Sequence, residues 1–225
     1  IVFPPSSDSS IMPSSVPYRR ALALLEVPRV SLELAQLSLI APWLLSGPRG
    51  DSHPVMLLPG FIASDRSTAL LRAYLDRMGY QTAGWQLGRN LGLQRVGGMT
   101  ALLEAFDRFH AEQGEPVSLV GWSLGGVYAR RIARRRPGAV RQVISLGSPI
   151  AGDPEQTAVW RVYESVNGEP VARDAVRRFM AEGRESSVVP ATAIYSRTDG
   201  IVPWQMAREP TAPMADNIEV AGSHT

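Results

Sequence analysis

The sequence contains no cysteine, which excludes disulfide bonds, thiolate nucleophiles and metal sites built on cysteine ligands. This absence leaves the cellular compartment undecided. Lysine is also absent, and all 23 basic residues are arginines, a bias typical of a GC-rich bacterial genome. The formal net charge of +2 is too small to predict a nucleic-acid partner. No apolar run approaches the roughly 20 residues of a membrane-spanning helix.

The residues that are present predict one domain with a substantial core. A chain of 225 residues that is 44% hydrophobic is long enough for one such domain and short for two. The first 17 residues are rich in serine and proline, so residues 1–17 are predicted to be a flexible tail and residues 18–225 the domain. Because the sequence begins with Ile1 rather than methionine, we expect an upstream segment to have preceded it.

Residues 30–45 form the most continuous apolar segment near the start of the domain. This segment predicts an amphipathic helix packed on the domain, and Pro42 is expected to bend or end that helix. A weak contact with a membrane or lipid surface through residues 30–45 is the alternative interpretation.

From residue 54 onward, short apolar runs alternate with segments that have a helical apolar stripe. This alternation predicts an α/β fold with a mostly parallel sheet. The predicted strands lie at residues 55–58, 80–85, 117–120, 143–146, 191–195 and 218–220. Residues 150–188 interrupt the alternation just after the end of a strand, which predicts a lid or cap beside the ligand site.

The strongest motif is Gly121-Trp122-Ser123-Leu124-Gly125-Gly126, directly after the apolar run at 117–120. A serine between glycines, at a sharp turn from strand to helix, is typical of a nucleophile elbow. The glycines allow the strand and helix to pass closely, while the serine takes a strained backbone conformation. Since the bare pattern also arises by chance, the rest of the chain must support it.

A serine nucleophile needs a base, and the sequence offers three histidines. His53 precedes the first core strand and His110 lies near the end of a helix, so both are interpreted as surface or packing residues. His224 follows the last predicted strand, as expected for the order serine, acid, histidine. We therefore predict His224 as the base.

Three aspartates compete for the role of the acid that orients the histidine. Asp199 follows the strand at 191–195 and lies at its carboxyl end, where functional side chains of such sheets collect. Asp153 lies in the predicted lid, and Asp216 precedes the last strand, at its other end. Asp199 is accordingly predicted as the acid, although an Asp-Gly pair can also simply cap a turn.

Attack on a carbonyl creates an oxyanion, which backbone N–H groups at fixed positions stabilise. Leu124 follows the nucleophile at a helix N-terminus and is predicted to supply one donor. The loop after the first core strand is expected to supply the other, from Phe61 or, as second choice, Ile62. The alternative is that Pro59-Gly60 only forms a turn.

These motifs together resemble the α/β-hydrolase superfamily, and within it the bacterial lipase- and esterase-like members. The resemblance covers residues 54–225. It is carried by Pro59-Gly60-Phe61, the elbow motif, Leu146-Gly147-Ser148-Pro149, Ser196-Arg197-Thr198-Asp199-Gly200-Ile201-Val202-Pro203 and Gly222-Ser223-His224. It implies a mostly parallel sheet with helices on both faces and a lid. Family members usually continue past the histidine into a last helix, which we expect to be missing because the sequence stops at Thr225.

The resemblance implies a serine hydrolase that cleaves carboxylic esters through an acyl-enzyme and needs no cofactor. The expected partner is a small-molecule ester or lipid-like substrate, bound near Ile62, Trp122, Trp160 and Ile201. An acyltransferase, or an amidase or thioesterase, would use the same triad. A non-catalytic binding protein on the same fold is the third alternative.

Two further features of the sequence are not predicted to form a binding site. Five arginines between residues 130 and 136 predict a solvated helix face near a helix C-terminus, where cations are favoured. No cluster of histidine and acidic residues has the spacing of metal ligands, so no metal site is predicted.

Overall fold

The computed structural model describes residues 16–151, 185 and 187–224. Four α-helices and six β-strands follow one another along this part of the chain, with 3₁₀ turns at Leu93–Val96 and Trp204–Met206. The elements are α1 (Val16–Leu44), β1 (Pro54–Leu58), α2 (Ala69–Arg77), β2 (Gln81–Gly84), α3 (Gly98–Gln113), β3 (Val117–Trp122), α4 (Leu124–Arg135), β4 (Val140–Leu146), β5 (Ala191–Tyr195) and β6 (Ala215–Glu219).

The strands form one parallel sheet in the order β2-β1-β3-β4-β5-β6. In its register Leu58 pairs with Gly121, Trp122 with Leu146, and Leu146 with Ile194. The carboxyl ends of the central strands therefore meet at one edge of the sheet. This arrangement confirms the predicted α/β fold and gathers at that edge the loops that follow the strands.

Helices cover both faces of the sheet, as predicted. The larger apolar core lies between the sheet and helices α3 and α4, with Leu119, Phe106 and Ile132 among its fully buried side chains. Strand residues that alternate with these, including Val55 and Val120, face the other side and pack against α2. Buried strands of this kind read as continuous apolar runs, which is why they could be recognised in the sequence.

Helix α1 is longer than the predicted segment 30–45, because it begins at Val16 and ends at Leu44. Pro42 lies within its last turn, so the helix ends two residues after this proline. Leu39 and Trp43 on this helix are 82% and 75% exposed. None of the helices in the described part of the chain combines the length and hydropathy of a membrane span.

Two predictions concern segments that lie wholly or mostly outside the described residues. The flexible tail 1–17 overlaps them only at 16–17, and the lid 150–188 only at 150–151, 185 and 187–188. Both therefore stay predictions. The described residue Glu185 contacts α4, because its backbone carbonyl accepts a hydrogen bond from Arg130 at 2.7 Å and its carboxylate pairs with Arg134.

One of the clustered arginines departs from the solvated face that the sequence predicts. The Arg130 side chain is 4% exposed and pairs with the Glu209 carboxylate, which is fully buried. Arg136, by contrast, pairs with Asp107 in a partly exposed position on the same side of the sheet. Arg136 follows the last residue of α4 and has a non-helical backbone (φ −137°, ψ 50°), so it does not share the buried helix face of Arg130.

We expect the Glu209→Ala variant to lower the free energy of unfolding by about 3–5 kcal/mol, because it removes the buried carboxylate that pairs with the buried Arg130 guanidinium. In a chain of this size that corresponds to a melting temperature roughly 10 °C lower. Thermal unfolding followed by circular dichroism measures the change. The double variant Arg130→Met/Glu209→Leu is the control and should lose less. A single variant as stable as wild type contradicts the expectation.

Candidate active site

Ser123 occupies the turn between β3 and α4, as the elbow motif predicts. Its backbone has φ 52° and ψ −120°, a conformation that non-glycine residues rarely adopt and that costs about 1–3 kcal/mol. The Ser123 N–H donates to the Leu146 carbonyl at 2.8 Å, which ties the turn to the neighbouring strand β4. The strained turn thus holds the Ser123 hydroxyl within hydrogen-bond distance of His224.

Gly125 shows why this turn requires glycine in the motif. A Cβ added to Gly125 would lie 2.2 Å from the Leu58 carbonyl oxygen and 2.9 Å from that of Pro59. These are backbone atoms of β1 and its loop, which cannot move aside as a flexible side chain can. The first turn of α4 therefore packs directly on the end of β1.

The structure brings Ser123, His224 and Asp199 into one chain of hydrogen bonds. Ser123 Oγ lies 3.0 Å from His224 Nε2, and His224 Nδ1 lies 2.7 Å from Asp199 Oδ2. The His224 and Asp199 side chains are 6% and 3% exposed. The three residues follow β3, β6 and β5, so the parallel sheet positions all of them at one edge. This is the geometry of a nucleophile, a base and an orienting acid.

The second carboxylate oxygen of Asp199 is held by the acid loop itself. Asp199 Oδ1 accepts the Ile201 N–H and the Val202 N–H, both at 2.8 Å. These two bonds fix the carboxylate plane and leave Oδ2 facing His224. The rival Asp216 lies exposed at the beginning of β6, and Asp153 lies outside the described residues.

The other two histidines lie away from this chain of hydrogen bonds. His53 is buried before β1, where its Nδ1 contacts Asp51 and its Nε2 lies 2.8 Å from Ser118 Oγ. The hydrogen bond from His53, supported by Arg141, lowers the pKa of Asp51 to about 2. His110 stacks on Phe106 with ring centroids 6.0 Å apart. Ser118 is 1% exposed inside β3, so its hydroxyl is closed to a substrate.

The loop after β1 lies directly against Ser123. A Cβ added to Gly60 would lie 3.3 Å from the Ser123 Cβ, which is tight van der Waals contact. Phe61 is the next residue of this loop after Gly60. The Ile62 N–H donates to the Asn90 carbonyl at 2.7 Å and is therefore already engaged, which removes the second-choice oxyanion donor.

The match to a family model spans almost the whole chain. The model of the "Alpha/beta hydrolase family" matches residues 19–224. The chain belongs to this family. No curated protein matches the hydrolase in sequence.

Solved structures of similar fold include lipolytic enzymes. Against this hydrolase, the monoacylglycerol lipase of Paleococcus ferrophilus has 17% identity and a TM-score of 0.57, covering 79% of this chain and 88% of its own. The structure reported for the metagenome-derived lipolytic enzymes LipS and LipT has 16% identity and a TM-score of 0.59, covering 79% and 87%. The putative non-heme bromoperoxidase BpoC of Mycobacterium tuberculosis has 13% identity and a TM-score of 0.55, covering 79% and 86%. At these identities the likeness concerns the fold.

Asn90 holds the loop after β1 in this hydrolase, and no specific signal in the sequence predicts this. Its side-chain amide donates to the Pro59 carbonyl at 2.9 Å, and its backbone N–H donates to Ala63 at 2.8 Å. Together with the bond from Ile62, these contacts fix both ends of the loop. Ile62 has φ 59°, an outlier for a β-branched residue, so this loop is strained as the elbow is.

The residues predicted to contact substrate have different surroundings in the hydrolase. Ile62 is half exposed beside the loop, whereas Ile201 packs against a small cluster around Tyr195 and Val202. The Trp122 indole donates to the His224 carbonyl at 2.8 Å, so this tryptophan helps to hold His224 in place. Trp160 lies outside the described residues.

A cavity of about 320 Å³ lies next to His224. Asp199, His224 and Trp122 line it together with Leu71 of α2 and Ile194 of β5. Ser123 is not one of the described residues that line this cavity. The described residues also include no group of three His, Asp or Glu side chains that could hold a metal ion.

Proposed function

We propose that this protein is a serine hydrolase that cleaves carboxylic esters through an acyl-enzyme. The observation that carries the proposal is the continuous chain from Ser123 through His224 to Asp199. Serine is a weak nucleophile at neutral pH, and a hydrogen-bonded histidine at 3.0 Å is placed to accept its proton. The lipolytic enzymes among the structures of similar fold agree with this chemistry.

In the first half of the reaction, Ser123 Oγ attacks the ester carbonyl carbon while its proton passes to His224 Nε2. Asp199 stabilises the imidazolium that forms and keeps its ring oriented. The tetrahedral intermediate then collapses, and the imidazolium gives its proton to the departing alcohol oxygen. In the second half, water attacks the acyl-enzyme while His224 accepts its proton. The second tetrahedral intermediate then collapses, and the imidazolium returns the proton to Ser123 Oγ as the acid is released.

The Leu124 and Phe61 N–H groups are proposed to bind the oxyanion. Leu124 is the first residue of α4, and the first N–H groups of a helix lack partners within the helix. Phe61 lies in the loop that contacts the nucleophile. Donors fixed by the backbone need no rearrangement as charge develops, which is how such sites lower the barrier.

Hydrolysis of a series of p-nitrophenyl esters tests the function and reports the preferred acyl length. Wild type should hydrolyse the series and should be labelled by a fluorophosphonate on Ser123, located by mass spectrometry of the peptides. Adding a competing alcohol or thiol acceptor separates hydrolysis from acyl transfer. Equal turnover by wild type and Ser123→Ala would exclude the mechanism.

We further propose a weak contact with a lipid surface through residues 30–45, which would bring the enzyme to lipid-like esters. Exposed Leu32, Leu39 and Trp43 recur at helical spacing on α1 and support this proposal. In vesicle co-sedimentation, Leu39→Glu/Trp43→Glu should bind several-fold less than wild type. Leu70→Glu, at an exposed leucine on α2, is the control and should bind like wild type. Equal binding by all three proteins would refute the contact.

A further inference from the structure

Helix α1 contributes a buried carboxylate to the two loops that carry the acid and the base. Glu26 is 6% exposed, although glutamate is rarely buried without a specific partner. Glu26 Oε1 accepts the Gly200 N–H at 2.9 Å, and Glu26 Oε2 accepts the His224 N–H at 2.7 Å. One side chain thus bonds the residue after Asp199 and the base itself.

Two further side chains on the same face of α1 bind the same loops. The Arg29 guanidinium donates to the Thr198 carbonyl at 2.6 Å and to the Thr198 hydroxyl at 2.9 Å. Glu33 accepts the Ser223 N–H at 2.8 Å and also bonds the Ser223 hydroxyl. Residues 26, 29 and 33 are spaced by three and four, so they follow one stripe of the helix. We call Glu26, Arg29 and Glu33 the α1 clamp.

We propose that Glu26 is a positioning residue that sets the distance between the base and the nucleophile by holding the acid loop and the base loop together. The proposal rests on the proposed function, because it assigns Glu26 a role in that reaction. Asp199 and His224 follow different strands and are 25 residues apart, so the backbone alone does not fix their separation. Apart from the catalytic bond, the loops also contact each other through the Ser196 hydroxyl, which donates to the Gly222 carbonyl at 2.7 Å.

The chemistry of the site explains why a carboxylate is needed there. Two N–H donors from different loops converge on Glu26, and an ionised carboxylate offers one acceptor oxygen to each. A glutamine at the same place keeps one acceptor and turns an NH₂ group toward the second donor. One of the two loops then loses its bond and meets a donor instead. Because alignment of reacting groups within about 1 Å matters about 10²-fold, a small shift of His224 should be visible in turnover.

The test compares Glu26→Gln with wild type and with Glu104→Gln, which removes the same charge from an exposed position on α3. For Glu26→Gln we expect kcat to fall by about 10- to 100-fold while KM changes by less than about threefold. The rate of fluorophosphonate labelling at Ser123 should fall by a similar factor. Glu104→Gln should retain wild-type values, and thermal unfolding checks that each variant is folded.

A second variant covers the case in which Glu26→Gln does not fold. Glu33 is about one third exposed, so Glu33→Gln should fold, and we expect it to lower kcat by a smaller factor, about three- to tenfold, with KM unchanged. Folded variants with wild-type kcat and labelling rates overturn the role of the clamp while leaving the proposed function intact. A fall confined to KM also overturns it, because misalignment acts on the transition state. A wild-type enzyme that neither labels at Ser123 nor hydrolyses esters overturns the proposed function itself.

Discussion

The Ser123→Ala variant is expected to lose about 10⁵- to 10⁶-fold in kcat on its best p-nitrophenyl ester, with KM little changed. Without Oγ no acyl-enzyme forms, and the remaining acceleration comes only from substrate binding and the oxyanion donors. The substitution leaves the backbone bond from residue 123 to Leu146 in place, so the fold should be retained. Steady-state kinetics together with thermal unfolding measure both properties. Ser46→Ala, at an exposed position, is the matched control.

The double variant Ser123→Ala/His224→Ala should be no slower than Ser123→Ala alone. Once the nucleophile is removed, the base has no proton to accept from it. The effects of substituting residues that act as one unit are therefore not additive. A further large drop in the double variant would mean that His224 acts on water or substrate without Ser123. That outcome would contradict the hydrogen-bond chain as the path of the proton.

The Asp199→Asn variant is expected to lose about 10⁴-fold in kcat although it is nearly isosteric. The Ile201 and Val202 N–H groups both face Oδ1, so the single carbonyl oxygen of asparagine should stay with them. Its NH₂ group then faces His224 Nδ1. This forces the histidine tautomer that carries its proton on Nε2, which cannot accept the proton of Ser123.

Kinetics at several pH values, with Asp216→Asn as the control, test this expectation. Asp216 lies exposed on β6, so its substitution should leave kcat unchanged. If Asp199→Asn keeps more than about a tenth of wild-type activity, Asp199 does not set the tautomer as the geometry requires. The thermal unfolding midpoint of each variant distinguishes a folded variant that has lost activity from one that is inactive because it is unfolded.

The sequence predicted the fold and the proximity of three side chains because both depend on short-range patterns. Apolar runs such as 117–120 and 191–195 mark buried strands, and both are strands in the structure. Residues that follow parallel strands must meet at one edge, so Ser123, Asp199 and His224 could be placed by chain order alone. Their proximity needed no knowledge of side-chain packing.

Glu26 and Asn90 could not be predicted, because their partners are far away in the sequence. The bonds from Glu26 reach residues 174 and 198 positions along the chain, and Asn90 bonds Pro59 across 31. A weak signal exists for Glu26, which is an isolated acid in the apolar stretch Leu24-Leu25-Glu26-Val27. A glutamate in such a stretch more often lies on the exposed face of a helix than in a buried position. The burial of Arg130 was missed for the same reason, since Glu209 is 79 residues away.

The strained backbones of Ser123 and Ile62 set a limit on how far this enzyme can be made heat-stable without losing turnover. Left-handed conformations at these two residues together cost about 2–6 kcal/mol. That is a considerable share of the 5–15 kcal/mol by which domains are usually stable. Substitutions selected only for resistance to heat would tend to relax both turns. The same relaxation would displace Ser123 and the neighbouring loop from their positions in the site. Stability and activity are therefore opposed at this edge of the sheet.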